Sequence, residues 1–506
     1  MSYFEVNKLK ENIITWYDFK ENSKLLAVGE NIFDLENILK SKLSKVVLQE
    51  NFDNLTDKFY YILIKDKIDY LENAKELLNY DGTIILLMNN RFGIRFFAGD
   101  KYKNEKIFSS IYENQSELLS KREIKDKLEN LGFSNYKFYY PLPSYDIPNV
   151  IFSDDYLPKY TNTKLNYNNL YEEKVNLIFD ESKALKELTK SGEFDFFANS
   201  YFIEINPKNK VKFASFNNTR KDEYCLVTKM YDDVVVKGQL SEKSKTHIEN
   251  MKKYIEDLKK HNIKIVDEAK ENTIVSKYMS EKTLYQKIVE NIENNNLEEA
   301  FETIKKWYNF LAEKFENDRV EEINENINGS GIQDLSIVKN VYIDLTFENT
   351  FYANNEFEFF DQEWCIEKLP LEFILYRAIR NLYTYNCEIE NILPQRKIIE
   401  KFNLGKYLQI FEKIENFIQE KFMNKDKFEY YEKFKKIIPD FDMINSLYSK
   451  NNKLADYALE METLKEEDKK KEEYISELVK QLGDYNLLKD ENAKKTKYIA
   501  ELTEQL

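Results

Sequence analysis

The sequence predicts three parts: an α/β domain of the doubly wound type, an α+β domain in which an antiparallel meander leads into a helical half, and a long C-terminal helix. Three observations carry this. Short apolar runs alternate with amphipathic stretches over the first 160 residues, turn-separated strands follow from about residue 166, and the last 56 residues lack proline and are dense in Lys and Glu. A chain of 506 residues is also too long for one ordinary core.

The runs KLLAVG (24–29), KVVLQ (45–49), FYYILI (59–64) and TIILLM (83–88) are continuous rather than alternating, as expected of strands covered on both faces. Between them, residues 32–43 and 68–80 carry i, i+3, i+4 apolar spacing, and NYDG (79–82) reads as a turn. FYYPLPSYDIP (138–148) reads as an extended crossing segment. YFIEI (201–205), VKFASF (211–216), EYCLVTKMY (223–231) and DVVVKGQL (233–240) read as one meander, with NPKNK as its first turn. An amphipathic helix over 242–260 and a hairpin over 264–279 follow. The expected domains are 1–160, 166–279 with 280–450 as two halves of one unit, and 451–506. In the last of these, Leu454, Met461, Ile475, Leu478, Leu482, Ile499, Leu502 and Leu506 fall at helical spacing, which predicts a coiled coil and an oligomer formed through it.

Composition removes several chemistries. Two histidines, His247 and His261, argue against Ser-His-Asp and multi-histidine metal sites, and eleven glycines leave little material for Gly-rich phosphate loops. A net charge of −15 argues against wholesale binding to nucleic acid. Three cysteines without metal-type spacing read as reduced thiols, and no run approaches the length of a transmembrane helix. The expected location is the cytoplasm, peripheral to the inner face of the membrane through partners.

The segment Asp344-Leu-Thr-Phe-Glu-Asn349, with Asp361 twelve residues on, carries the chemistry. Phosphoryl transfer needs an acid at the attacking hydroxyl and magnesium ligands at the nucleotide phosphates, and D-x-x-x-x-N followed by a hairpin and Asp supplies both. Asp344 is the expected catalytic carboxylate, and Asn349 and Asp361 the expected Mg²⁺ ligands. Lys237, on the strand before the amphipathic helix, is the expected clamp on the ATP phosphates, with Lys229 as rival and Glu256 or Glu249 on the helix as its partner. His247 reads as a surface or capping residue, and Trp364 as core. Asn89-Asn90-Arg91, after the fourth run, is a place where an arginine could face an anionic substrate.

On these residues the middle of the chain resembles the aminoglycoside-phosphotransferase-like kinases, so a protein-kinase-like two-lobed fold is expected there, with Tyr342 where those enzymes carry His. The N-terminal part resembles class I S-adenosylmethionine (SAM)-dependent methyltransferases, a Rossmann-like fold. Its cofactor turn, LLAVGENIFDLE, keeps Gly29 but has Asn31 and Phe33 at the other glycine places and Ala27 where an acid is usual. Glu50 stands where such domains bind the ribose. Residues 79–100, 131–158 and 359–364 are similar to a bacterial surface-glycan family joining the two domain types. The order methyltransferase, kinase, coiled coil resembles the O-antigen chain-terminating methyltransferase–kinases. The resemblance implies ATP- and Mg²⁺-dependent phosphorylation of a glycan or small hydroxylated acceptor in surface-polysaccharide assembly. Its alternatives are an active SAM methyltransferase with a regulatory kinase-like domain, and a scaffold for glycosyltransferases.

Overall fold

The computed structural model describes residues 8–103, 105–112, 117–160, 175–327, 334–425, 435–437 and 453–503. The chain divides into two units, residues 1–437 and 438–506. In the first, strands β1 (Lys24–Gly29), β2 (Lys45–Gln49), β3 (Phe59–Lys65) and β4 (Leu78–Asn89) are parallel, in the order β2-β1-β3-β4. β1 explains why the apolar runs are continuous. Leu26 and Val28 enter one core, Leu25 and Ala27 the other, and all four are inaccessible to solvent. The segment Ile13–Tyr17 caps the second face with Trp16 and Tyr17, and short helices close the crossovers.

Beyond β4 the sheet continues through β5 (Tyr136–Leu142), β6 (Val150–Ser153) and, after a short β7 (Val175–Leu177), β8 (Ser200–Ile205). β8 inserts antiparallel between β4 and β5, and every one of its residues is buried. YFIEI therefore belongs to the first sheet and does not open the meander. The linear order of the strands concealed this, since β8 joins partners more than 60 residues upstream. The expected turn NYDG is also corrected: it is the extended start of β4, and the preceding helix ends at Leu77.

The meander proper is β9 (Phe213–Phe216), β10 (Leu226–Met230) and β11 (Val234–Gln239). It is followed by the helix Lys245–Lys260, β12 (Lys264–Ile265), β13 (Asp267–Ala269) and β14 (Thr273–Lys277). These strands lie in the order β9-β10-β11-β14-β13, and β9 pairs with β6, so one twelve-stranded sheet runs through both regions. The helix packs Ile248, Met251, Ile255 and Leu258 into the third and largest core. That core is completed by helices Leu284–Glu293, Leu297–Lys314, Glu372–Tyr385 and Leu408–Phe422 with strands β15 (Ile337–Tyr342), β16 (Thr350–Ala353), β17 (Glu356–Phe359) and β18 (Cys365–Pro370). β12 adds parallel to β17, tying the meander region to the β16–β17 hairpin. β19 (Lys435–Ile437) pairs with β7.

Among the described residues of the second unit, the helix Lys453–Thr503 holds Met461, Ile475, Leu478 and Leu482 exposed. The side chains of Leu454, Ile499, Leu502 and Leu506 lie outside the described residues, as does the expected domain junction at 161–174. No described helix is long and apolar enough to cross a membrane.

Gly29 ends β1 at φ +134°, and a Cβ there would stand 2.3 Å from the Lys65 carbonyl oxygen on β3. That is backbone, so it cannot swing away. Gly29→Ala is expected to destabilise the first unit by about 3 kcal/mol, read as a lowered urea midpoint.

Candidate functional site

β11 is the middle strand of the β10-β11-β14 ladder, with Lys237 opposite Thr228 on one side and Ile274 on the other. This register points Lys237 inward, leaving its side chain 10% exposed, with its ammonium on the carboxylates of both Asp361 and Glu363. Asp361 follows the β16–β17 hairpin with its backbone in the left-handed region, φ +59°. A non-glycine residue there needs support. Its N–H donates to the buried Asp267 carboxylate of β13 at 2.7 Å.

The loop after β15 brings Asp344 and Asn349 to the same place. Asn349 donates from Nδ2 to the Asp344 carbonyl at 3.1 Å, and Gln362 Nε2 donates to that carbonyl at 3.0 Å. The Asp344 carboxylate accepts the Glu363 N–H at 3.0 Å. Burial, reinforced by the Glu363 carboxylate and opposed by Arg377, pushes the Asp344 pKa up to about 7. Lys237, Asp344, Asn349 and Asp361 are thus linked through the short stretch Asp361-Gln362-Glu363. Asp361 keeps a 38% exposed carboxylate, and the Asn349 side chain donates through its amide nitrogen; among the described residues no group of three or more His, Cys, Asp or Glu side chains is placed to hold a metal ion.

Several expected partners are corrected. Glu256 is exposed on the helix Lys245–Lys260, and Glu249 pairs with Lys252, so neither holds Lys237. Lys229 pairs with Asp18, away from this cluster. His247 is buried on the inner face of the helix, stacked on Trp364 with ring centroids 4.5 Å apart and 3.8 Å from Glu363. The reason is helical phase: His247 shares the apolar stripe with Met251 and Ile255. Trp364 is core, as expected.

NPKNK is corrected as the first turn of the meander. It joins β8 to β9, and the amides of Lys208 and Asn209 already donate to buried Glu204 at 2.8 and 3.0 Å. The loop over the cluster is 217–225, between β9 and β10. From it Arg220 reaches Glu363 and lies over the Trp364 ring at 5.0 Å. Sequence reading missed Arg220, Glu363 and Asp267. Only Glu363, two residues after Asp361, carried a local signal.

A second group of polar residues gathers at the carboxyl edge of the parallel strands, where open α/β sheets bind ligands. Gly29 is accounted for by its approach to β3. Glu30 pairs with Lys67 and Lys103, Glu50 is exposed after β2, and Phe33 is 51% exposed. Asp66, after β3, accepts from the buried Tyr145 hydroxyl, and burial pushes its pKa up to about 6. Arg91 donates to the Ser110 carbonyl at 2.9 Å and lies 3.6 Å from Glu123.

No family model matches the chain, and no curated protein matches it. Among solved structures it is similar to SAM-dependent methyltransferases. The CcbJ methyltransferase from Streptomyces caelestis matches at 15% identity over 18% of this chain, with a TM-score of 0.14. This chain spans only about half of that protein's length, 52%. The plantazolicin methyltransferase BpumL, solved with SAH, matches at 12% identity over 40% of this chain and 83% of its own, TM-score 0.22. Phosphoethanolamine N-methyltransferase 2 of Haemonchus contortus matches at 9% identity over 40% and 38%, TM-score 0.18. Overlap this loose carries no argument about activity.

A carboxyl whose folded pKa is raised keeps its proton longer than in the unfolded chain. Its stability contribution is therefore lost as pH rises from about 4, the ordinary Asp value, to about 7. Asp344→Asn escapes that loss, and is expected to be more stable than wild type by ~1–2 kcal/mol at pH 8, converging with it near pH 4. Thermal melts at the two pH values read the difference.

Proposed function

We propose that the region from β9 onward is a kinase-like, ATP- and Mg²⁺-dependent phosphotransferase domain acting on a hydroxylated acceptor. The observation that carries this reading is the meeting of Lys237 with Asp361, beside the Asp344–Asn349 loop. The strand order β9-β10-β11-β14-β13, with a helix between β11 and β13, supports it as the frame that brings the lysine to the hairpin. The acceptor proposed is a glycan or small hydroxylated molecule in surface-polysaccharide assembly, and self-association through the helix Lys453–Thr503 belongs to the same proposal.

In this reading Lys237 leaves Asp361 for the nucleotide phosphates, while Asp361 and Asn349 would be the residues that hold Mg²⁺. The bound metal would neutralise charge on the phosphates. Asp344 accepts the proton of the attacking hydroxyl, which it does only as a carboxylate. Its burial supplies a base of raised pKa, a better match to a weakly acidic alcohol than an ordinary carboxylate. Asn349 fixes the backbone of Asp344 through the carbonyl bond, so base and metal site share one short loop.

A second reading, SAM-dependent methylation by the first domain, is favoured by a different observation. The order β2-β1-β3-β4-β8-β5, with β8 antiparallel to both β4 and β5, gives a doubly wound sheet whose carboxyl edge carries Gly29, Glu50 and Asp66. Phe33 and the paired Glu30 weigh against an open cofactor turn there.

Calorimetry separates the readings. The wild-type chain is expected to bind Mg·ATP, with Asp361→Ala weakening it at least tenfold, and phosphotransfer is expected to fall as pH drops through about 7 with the protonation of Asp344. Binding of SAM with no binding of Mg·ATP would overturn the phosphotransferase reading in favour of the second.

A further inference from the structure

Lys237 has no carboxylate partner on the helix Lys245–Lys260, yet it is 10% exposed and charged. A buried ammonium requires a fixed counter-ion. Of its two carboxylates, Asp361 is 38% exposed, whereas Glu363 is 4% exposed. Glu363 gathers Lys237 from β11, Arg220 from the β9–β10 loop and His247 from the helix. The backbone of the same residue donates to the Asp344 carboxylate.

We propose that Glu363 is the positioning residue of the phosphotransfer site: its carboxylate replaces a helix glutamate as the fixed partner of Lys237, while its N–H orients Asp344. This rests on the phosphotransferase reading. The geometry has a consequence for the nucleotide. When Asp361 turns to a metal ion, Lys237 loses its exposed partner and keeps the buried one, so it stays fixed beside Asp361. Arg220 shares that carboxylate, so the loop 217–225 is held over the same cluster by charge, without glycines. It is also pinned from below, by Lys221 N–H to the Phe422 carbonyl at 3.0 Å and Asn424 N–H to the Thr219 carbonyl at 3.0 Å.

The test compares the full-length wild type with Glu363→Gln, Glu363→Asp and Glu256→Gln by calorimetry against Mg·ATP and against adenosine. Glu363→Gln is expected to weaken Mg·ATP at least tenfold and leave adenosine within twofold, because Lys237 serves the phosphates and not the base. Glu363→Asp is expected to recover part of the loss, and Glu256→Gln to match wild type. Equal Mg·ATP affinity in wild type and Glu363→Gln overturns the proposal while leaving the phosphotransferase reading intact. Loss of adenosine together with ATP also overturns it, since that marks a merely structural residue. A wild type that binds neither ligand sinks the underlying reading. Should Glu363→Gln not fold, a urea double-mutant cycle between Lys237→Met and Glu363→Asp decides the pairing without nucleotide. Coupled midpoints support it, and additive midpoints overturn it.

Discussion

The buried charge of Glu363 is the constraint on which the second half of the first unit depends. Taking a carboxylate out of water costs several kcal/mol, and only well-placed cations offset it. The loop 217–225 and strand β11 supply them through Arg220 and Lys237, and the helix Lys245–Lys260 sets His247 beside the same carboxylate. Neither the loop nor the strand can shift far without leaving an ion unpaired in a low-dielectric interior. The same residue fixes Asp344 through its backbone, so the Lys237 pair and the Asp344 loop share one anchor.

Around that anchor the site is built from short-range devices. Asp267 supports the left-handed turn at Asp361, β12 ties the meander region to β17, and Asn349 holds the loop that carries Asp344. Trp364 closes the cluster by stacking on His247 and packing against Phe422, which brings the end of the last long helix of the unit beneath the loop 217–225. The charged groups are thereby walled by aromatic surface. This strengthens their mutual attraction and raises the cost of any unpaired member.

The single sheet through both regions has a structural consequence. β6 pairs with β9, so the doubly wound half and the meander half are continuous through backbone hydrogen bonds, not joined by a linker. Glu204 serves this arrangement at the other end of β8. It accepts from Tyr17 and Tyr139 as well as from the turn 206–210, and so fixes where the central antiparallel strand ends. The scarcity of glycine fits the same picture. In the turn 206–210 a buried glutamate occupies the amides of Lys208 and Asn209, so they are not open to a phosphate.

What the sequence by itself determined was local. Continuous apolar runs marked β1, β3 and β4 because both faces of the sheet are covered there, while β2, at the edge, is half-buried; helical spacing marked Ile248 to Leu258, and the Asp344–Asn349–Asp361 spacing marked residues linked through Asp361-Gln362-Glu363. Those signals arise from periods of two and 3.6 residues and from a fixed loop length, all readable within about twenty positions. The tertiary structure decided the rest. It moved β8 into the first sheet, turned His247 inward, left Glu256 in solvent and gave Lys237 to Glu363. Each of those outcomes turns on which strand lies beside which and which cation reaches a buried acid. Such pairings are set by the energy of burial across the whole fold, and no local pattern records them.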